Sequence, residues 1–376
     1  MAVQHADTIV VGGGLVGAAI SYGLAKIGQG VIVLDEGDVA FRASRGNFGL
    51  VWVQSKGDGM SEYARWTRRS ADLWPEFAGE LAGETGVSPH YYKAGGVHTC
   101  LSEEELQART NLIERMRQVH GPERYEARVL DRRELAEMLP GLGEAVIGGS
   151  WSPHDGHASP LHLLRALHAG LLQGRGRYHA DARVTAIARD GSGYRVTTAA
   201  GVFAAERVVL AAGLANRALA PMVGLSAPVS PLKGQILVTE RAATVLPMPT
   251  AFVRQTEEGT FLMGDSYEDS GFDTASRPNV MAEIARRAAR TFPFLRKLQV
   301  VRAWAALRVM SGDGFPIYEQ SRTHPGAFVV NCHSGVTLAG AHALALAPMI
   351  ARGRLDEEFA AFSAGRFDVQ AHRDVA

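Results

Sequence analysis

The chain has 376 residues, 46% of them hydrophobic and 21% charged, which suits a large buried core and roughly two or three domains. Lys plus Arg equals Asp plus Glu at 39 each, a balance that argues against an electrostatic nucleic-acid binder or a polybasic membrane anchor. Only Cys100 and Cys332 occur, so neither a disulfide framework nor a metal site is expected, and a reducing, cytoplasmic setting fits.

No apolar run reaches the ~18 residues of a membrane-spanning helix. No signal peptide is expected either, because the first strand already begins at Thr8. Thr8 to Val11 reads as that strand, short and buried. Gly12-Gly13-Gly14-Leu15-Val16-Gly17 follows, a G-x-G-x-x-G, and then Ala18, Ile20, Leu24 and Ile27 at helical spacing. Val31 to Leu34 is a second strand, with Asp35 at its end. Gly12 permits the tight turn, Gly14 the approach of a pyrophosphate, and Gly17 close packing of helix on strand. The helix N-terminus offers N–H groups to phosphates. Asp35 can accept hydrogen bonds from ribose hydroxyls. The whole unit points to a dinucleotide.

Phe41 to Leu50 is an irregular loop between apolar segments. Its buried backbone needs partners, which a cofactor could supply. Tyr63, Trp66, Ser70, Leu73, Trp74 and Phe77 mark the buried face of a long helix, and Val97 to Cys100 a strand. Glu103 to His120 predicts an amphipathic helix with Leu106, Ile113 and Met116 inward and its charges solvated. Asp131 and Glu134 form a capping pair. Gly148 to His157 reads as a loop. Ser159-Pro160 starts a helix that buries Leu161, Leu164, Leu167 and Leu171. Ala182 to Ile187 is a strand. Tyr194 to Thr198 pairs with Val202 to Ala205 as a hairpin, and Arg207 to Leu210 is a buried strand ending in Ala211-Ala212-Gly213.

Leu232 to Glu240, Ala251 to Arg254, Thr260 to Gly264 and Gln299 to Leu307 predict strands, with a helix near 280–292. This run suggests a mixed or antiparallel sheet inserted into the first pattern. Ala327 to Asn331, a turn at Cys332 to Thr337 and a helix over Leu338 to Ala351 resume that pattern; the tail from Ala364 is polar and expected to fray. The second turn also leads into a helix N-terminus, suited to a developing anion. His333 admits both a structural and a catalytic reading. Arg308, placed where strand meets turn, suits bidentate binding of a carboxylate. Lys233 and Arg254 are other charged candidates.

GGGLVG with Asp35, the Ser44–Gly49 loop, WSPHDG, VVLAAG, PLKGQ, WAALR and DGFPI occur in this order. Together they resemble the flavin-dependent D-amino-acid oxidase superfamily, in particular its glycine and sarcosine oxidase group. SRGNFGLVWVQSKG and CHSGVTLAG are similar to β subunits of heteromeric amino-acid dehydrogenases of the D-hydroxyproline and opine type. The resemblance implies FAD. It places Gly12, Gly14 and Gly17 on the pyrophosphate, Asp35 on the adenosine ribose, and Ser44, Asn47, Gly49 and Leu50 along the pyrophosphate and flavin. Val184 meets the adenine, Ala212 and Gly213 complete the channel, and Ser334, Gly335, Val336, Thr337 and Leu338 cover the pyrimidine edge. Arg308 matches the arginine that holds the substrate carboxylate. Lys233 stands where arginine is frequent, Val309 departs from a Gly-Leu-Arg-Pro pattern, and Cys332 precedes His333 in place of glycine. No cysteine lies near Arg308, so noncovalent FAD is expected.

The expected fold is α/β: a Rossmann-like FAD-binding domain (1–85, 148–225 and 315–376) and an α+β substrate domain (86–147 and 226–314). The expected activity is oxidation of the Cα–N bond of an amino acid or secondary amine by hydride transfer to flavin N5. Electrons then pass to a partner subunit or acceptor. The competing readings are a stand-alone oxidase using oxygen and an FAD-holding scaffold subunit.

Overall fold

The computed structural model describes residues 3–37, 43–120 and 125–368. Phe41 and Arg42 of the expected loop, and the tail from residue 369, lie outside these. The glycine-bearing unit forms with its first strand starting at Gln4 rather than Thr8, because pairing with the 203–210 stretch extends it: β1 is Gln4–Val11, α1 Leu15–Lys26 and β2 Val31–Leu34. β1 lies parallel to β2 on one side and to Gly201–Leu210 on the other, and Ala327–Asn331 runs parallel beyond that. Gly176–His179 extends the sheet past β2, and Ile317–Gln320 closes the far edge antiparallel. Val184–Asp190 and Gly193–Thr198 join through Gly201–Leu210 to complete eight strands.

A sheet covered on both faces needs strands that are apolar throughout. Ile9 and Val11 enter one core with Ile32, Leu34, Val208 and Leu210. Val10 enters the other with Val31, Val33 and Val209, under Ile20 and Leu24 of α1. This alternation is the two-residue period of the strand.

A separate antiparallel sheet has the order Val253–Gln255, Thr260–Gly264, Val229–Arg241, Val300–Ser311. The helix Pro278–Thr291 covers it through Ile284 and Ala288, which share a core with Leu237, Phe261 and Met263. A small sheet, with Gly148–Ser152 between Gly96–Cys100 and Arg128–Asp131, contributes Val97 and Leu130 to that core. Between the sheets run α2 (Ser61–Thr85), α3 (Glu103–His120), α4 (Arg132–Met138) and α5 (Pro160–Gln173). Both halves of the capping box at Asp131 and Glu134 are made.

Several elements depart from expectation. Gly148 to His157 is not a loop: Gly148–Ser152 is a central strand, and Gly156–His157 pairs with Leu50–Val51. Partners on both sides offset the poor strand propensity of its glycines, and Gly149 leaves room for the His98 carbonyl. On α5, Leu161 turns to solvent (55% exposed) and Leu163 is buried instead, because the core-facing arc runs through 163, 164, 167 and 171. The expected hairpin arm at Val202 and the buried strand at Arg207 are one continuous strand, Gly201–Leu210. The charged side of α3 is not wholly solvated: Arg109 is buried, its Nε donating to Ser150 Oγ at 2.6 Å. The predicted C-terminal helix is interrupted by a π-helical segment at His342–Leu346. The tail does not fray at once. The Ala364 N–H donates to Glu319 at 3.0 Å, and Arg366 pairs with Asp313 at 2.7 Å.

Candidate functional site

Gly12 leaves β1 at φ +103°, and a Cβ there would meet the Ala211 carbonyl at 2.5 Å. A Cβ at Gly17 would collide with the Gly12 carbonyl, so α1 seats directly against the strand end. Ala212 lies beside Gly12, and Gly213 turns the chain away at φ +59°. Asp35 accepts from the N–H of Gly13 at 2.7 Å and of Gly37 at 2.9 Å. Its carboxylate therefore shapes the glycine turn. The backbone runs from Asp35 to Val184 through Ala182, whose N–H donates to the Asp35 carbonyl at 2.7 Å.

The loop at Ser44–Leu50 is half-buried, and the protein itself supplies many of its partners. Ser44 Oγ accepts from the Leu15 N–H at 2.9 Å, and Asn47 Oδ1 from the Gly49 N–H at 2.8 Å. The Gly46 carbonyl accepts from Trp304 Nε1 at 3.2 Å and the Gly49 carbonyl from the Ala158 N–H at 2.8 Å. The Phe48 carbonyl accepts from Arg254. Arg254 is thereby a clamp on this loop, and burial lowers its pKa to about 10.

The turn after Ala327–Asn331 packs against the start of α1. Val336 shares a core with Leu15, Ala18 and Ala19, and a Cβ at Gly335 would stand 3.5 Å from that of Leu15. Leu338 is buried in the other core. Thr337 Oγ1 donates to the Leu50 carbonyl and accepts from the Trp52 N–H, both at 3.1 Å. Ser334 Oγ bonds the Tyr63 hydroxyl at 2.8 Å.

Arg308 lies inside the Val300–Ser311 strand, not where a strand meets a turn; pairing with Val229–Arg241 carries the strand three residues further. Its guanidinium lies over Gly234, where a Cβ would come within 2.5 Å of Nη2. It pairs with Asp265, donates to the Ser266 carbonyl at 2.9 Å and sits 4.5 Å from the Tyr267 ring centre. Burial raises the Asp265 pKa, against the pull of Arg308 and Lys56. Lys233 is fully buried and held at 2.9 Å by Asp273, with Glu268 at 3.4 Å.

His333 faces a partner that the sequence did not reveal. Lys56 Nζ stands 2.9 Å from His333 Nε2. Burial lowers the Lys56 pKa to about 8. Burial, then Lys56 and Arg308, holds His333 well below the usual imidazole range. The charged ring is disfavoured, and with its proton on Nδ1 the Nε2 atom accepts from Lys56, with Ser334 Oγ 3.3 Å from the same nitrogen. Lys56 also belongs to the wall of a cavity of about 580 Å³ beside α2, with Arg65, Arg69 and His154. Lys56 and Asp265 carry no spacing signal, although Lys56 lies within SRGNFGLVWVQSKG, and Gly234 is marked only as part of PLKGQ.

The family described as FAD dependent oxidoreductase matches residues 7–349. The chain belongs to this family of FAD-dependent oxidoreductases. The oxidoreductase is 44% identical over 368 residues to an opine oxidase subunit of Rhizobium meliloti, covering 98% of this chain and 99% of that one. It is 29% identical to glycine oxidase of Geobacillus kaustophilus (strain HTA426), covering 96% and 97%. The crystal structure of glycine oxidase from Geobacillus kaustophilus superposes with a TM-score of 0.87 at 28% identity, covering 96% and 98%. L-proline dehydrogenase from P.horikoshii shares the fold, with a TM-score of 0.84 at 21% identity, covering 98% and 99%. The oxidoreductase has a turn that fits FAD. The first turn of α1 holds no acidic residue and its N-cap residue, Gly14, has no side chain to cap it; Ser44 Oγ takes the Leu15 N–H, and a Cβ at Gly14 would crowd that oxygen at 2.8 Å. Among the described residues, no helix is long and apolar enough to cross a membrane.

Proposed function

We infer that this enzyme oxidises the Cα–N bond of an opine-type secondary amine and passes the electrons to a partner subunit. The likeness to opine oxidase subunits over nearly the whole of both chains supports the substrate class and the heteromer. The observation that carries the reading is Arg308, lying over Gly234 and paired with Asp265. An amino acid offers a carboxylate to the planar fork of Arg308 and a cationic amine to Asp265.

In this reading Gly12, Gly14, Gly17 and the start of α1 hold the pyrophosphate. Asp35, at the end of β2, meets the adenosine ribose. Ser44, Asn47, Gly49 and Leu50 run along the pyrophosphate and flavin. Val184 meets the adenine, and Ala212 and Gly213 line the channel. Ser334 to Leu338 cover the pyrimidine edge. Bound FAD supplies the two-electron acceptor for the hydride leaving Cα. Arg308 fixes the carboxylate, which orients Cα. The amine must be neutral when the hydride leaves, and Lys56, held by His333, takes up its proton.

The test is spectral. The purified chain is expected to be yellow, and anaerobic addition of opines to bleach its flavin band. A flavin that stays oxidised across opines and D-hydroxyproline would overturn the assignment and favour a scaffold role. Rapid peroxide formation by the isolated chain would instead mark a stand-alone oxidase.

A further inference from the structure

His90, His162 and Glu258 come together from three distant segments, and none of them belongs to the site described above. His90 follows α2 at φ +49°, His162 lies in the first turn of α5, and Glu258 caps the hairpin between Val253–Gln255 and Thr260–Gly264. One ligand atom from each lies within 4.8 Å of the others. His90 Nδ1 is 3.6 Å from Glu258 Oε1 and 3.8 Å from Glu257 Oε2, too far for hydrogen bonds. That nitrogen is shielded from solvent and has no hydrogen-bond partner. The two imidazoles stack at 4.2 Å with 21° between their planes.

A buried ring nitrogen without a partner is costly unless something occupies the space before it. Ligand bonds of about 2.0–2.2 Å around a tetrahedral zinc ion separate neighbouring donor atoms by about 3.3 Å. The His90–Glu258 gap of 3.6 Å is near that span, and the three atoms, within 4.8 Å of one another, converge on one ion once the stacked rings turn toward it. The second shell is also present: Ser159 Oγ lies 2.9 Å from His162 Nδ1. With Nδ1–H donating to that hydroxyl, the other ring nitrogen is free to ligate.

We propose that His90, His162 and Glu258 bind a divalent transition-metal ion of the zinc class. Two imidazoles and one carboxylate suit Zn²⁺ over the oxygen-seeking Mg²⁺ or Ca²⁺. Water or Glu257 completes the coordination. The ion fastens the hairpin of the antiparallel sheet to the start of α5. Two backbone bonds there carry the constraint onward: the Ser159 N–H donates to the Pro89 carbonyl at 2.9 Å, and the Ala158 N–H to the Gly49 carbonyl at 2.8 Å. The metal therefore stiffens the frame of the Ser44–Leu50 loop without entering it.

The experiment is calorimetric titration of chelator-treated, flavin-loaded protein with ZnCl₂ and, separately, MgCl₂. One equivalent of Zn²⁺ is expected to bind, with no heat from Mg²⁺. His90→Asn tolerates the left-handed backbone. It and Glu258→Gln are each expected to weaken zinc binding by about tenfold or more. Saturating zinc is expected to raise the melting temperature of the parent protein and not of the double variant. Zinc binding unchanged in both variants, or absent from the parent protein, would overturn the site. Neither readout depends on the substrate.

Discussion

Lys56 and His333 share one hydrogen bond, 2.9 Å long, between groups 277 residues apart in sequence. Both belong to side chains that burial drives toward their neutral forms, and Arg308 reinforces the shift in each. A lysine with a pKa of about 8 is a usable proton acceptor near neutrality, which an ordinary lysine is not.

Substrate-driven flavin reduction is expected to rise with pH through about 8 as Lys56 loses its proton. Lys56→Met should flatten that limb while leaving the oxidised flavin spectrum in place. Stopped-flow reduction across pH 6.5 to 9.5 reads this directly; an unchanged profile in the variant would remove Lys56 from the proton transfer.

The same shift has a stability consequence. The folded-state pKa of Lys56 is depressed, so the folded protein disfavours its charged form. The penalty is complete below about 8, shrinks as pH rises, and vanishes above the unfolded value of about 10.4. Lys56→Met should therefore melt higher than the parent at pH 7, with the difference closing by about pH 10.5. Melting curves at the two pH values check the sign.

Arg308→Ala is expected to retain flavin and lose about 2–5 kcal/mol of carboxylate binding. The dissociation constant seen in anaerobic reduction should then rise roughly 30-fold or more. Arg308→Lys should recover only part, because the planar fork is lost.

Thr337→Val keeps the shape and removes a hydroxyl that joins the Leu50 carbonyl to the Trp52 N–H. Stranding these buried groups should cost about 1–3 kcal/mol. Denaturant melts of the flavin-free protein are the measure. A flavin that also dissociates more readily would tie the clamp to cofactor retention.

Arg109 is 6% exposed, and its partners are Ser150 and Gln54. Arg109→Ala should lower stability by about 2–4 kcal/mol through unpaired polar groups and lost packing. Arg109→Met, which fills the volume, should lose less.

The glycine turn was legible because its requirements are local. Strand, turn, helix and acid follow one another within Thr8 to Asp35, and spacing alone carries the meaning. The antiparallel sheet was legible from its run of strands. What escaped depends on long-range register. Asp265 meets Arg308 because Val229–Arg241 lies between their two strands, and nothing local to either residue announces it. Lys56 reaches His333 only through the full fold. Leu161 and Leu163 show a smaller failure: a leucine-rich helix offers two plausible faces, and packing chooses between them. The Ser44–Leu50 loop was expected to lean on a cofactor for its backbone partners, yet Trp304, Arg254 and Thr337 already provide several.

Thr337 also sets an order of events. Its carbonyl accepts from Ser70 Oγ and Trp74 Nε1, and its hydroxyl joins Leu50 and Trp52, so two segments near the amino end wait on one residue near the carboxyl end. The preceding strand, Ala327–Asn331, slots beside Gly201–Leu210 in the same step. The glycine turn is complete within Thr8 to Asp35, whereas this clamp closes only once residue 337 is in place. A truncation before Thr337 is expected to keep the fingerprint and to leave Leu50, Trp52, Ser70 and Trp74 without these partners.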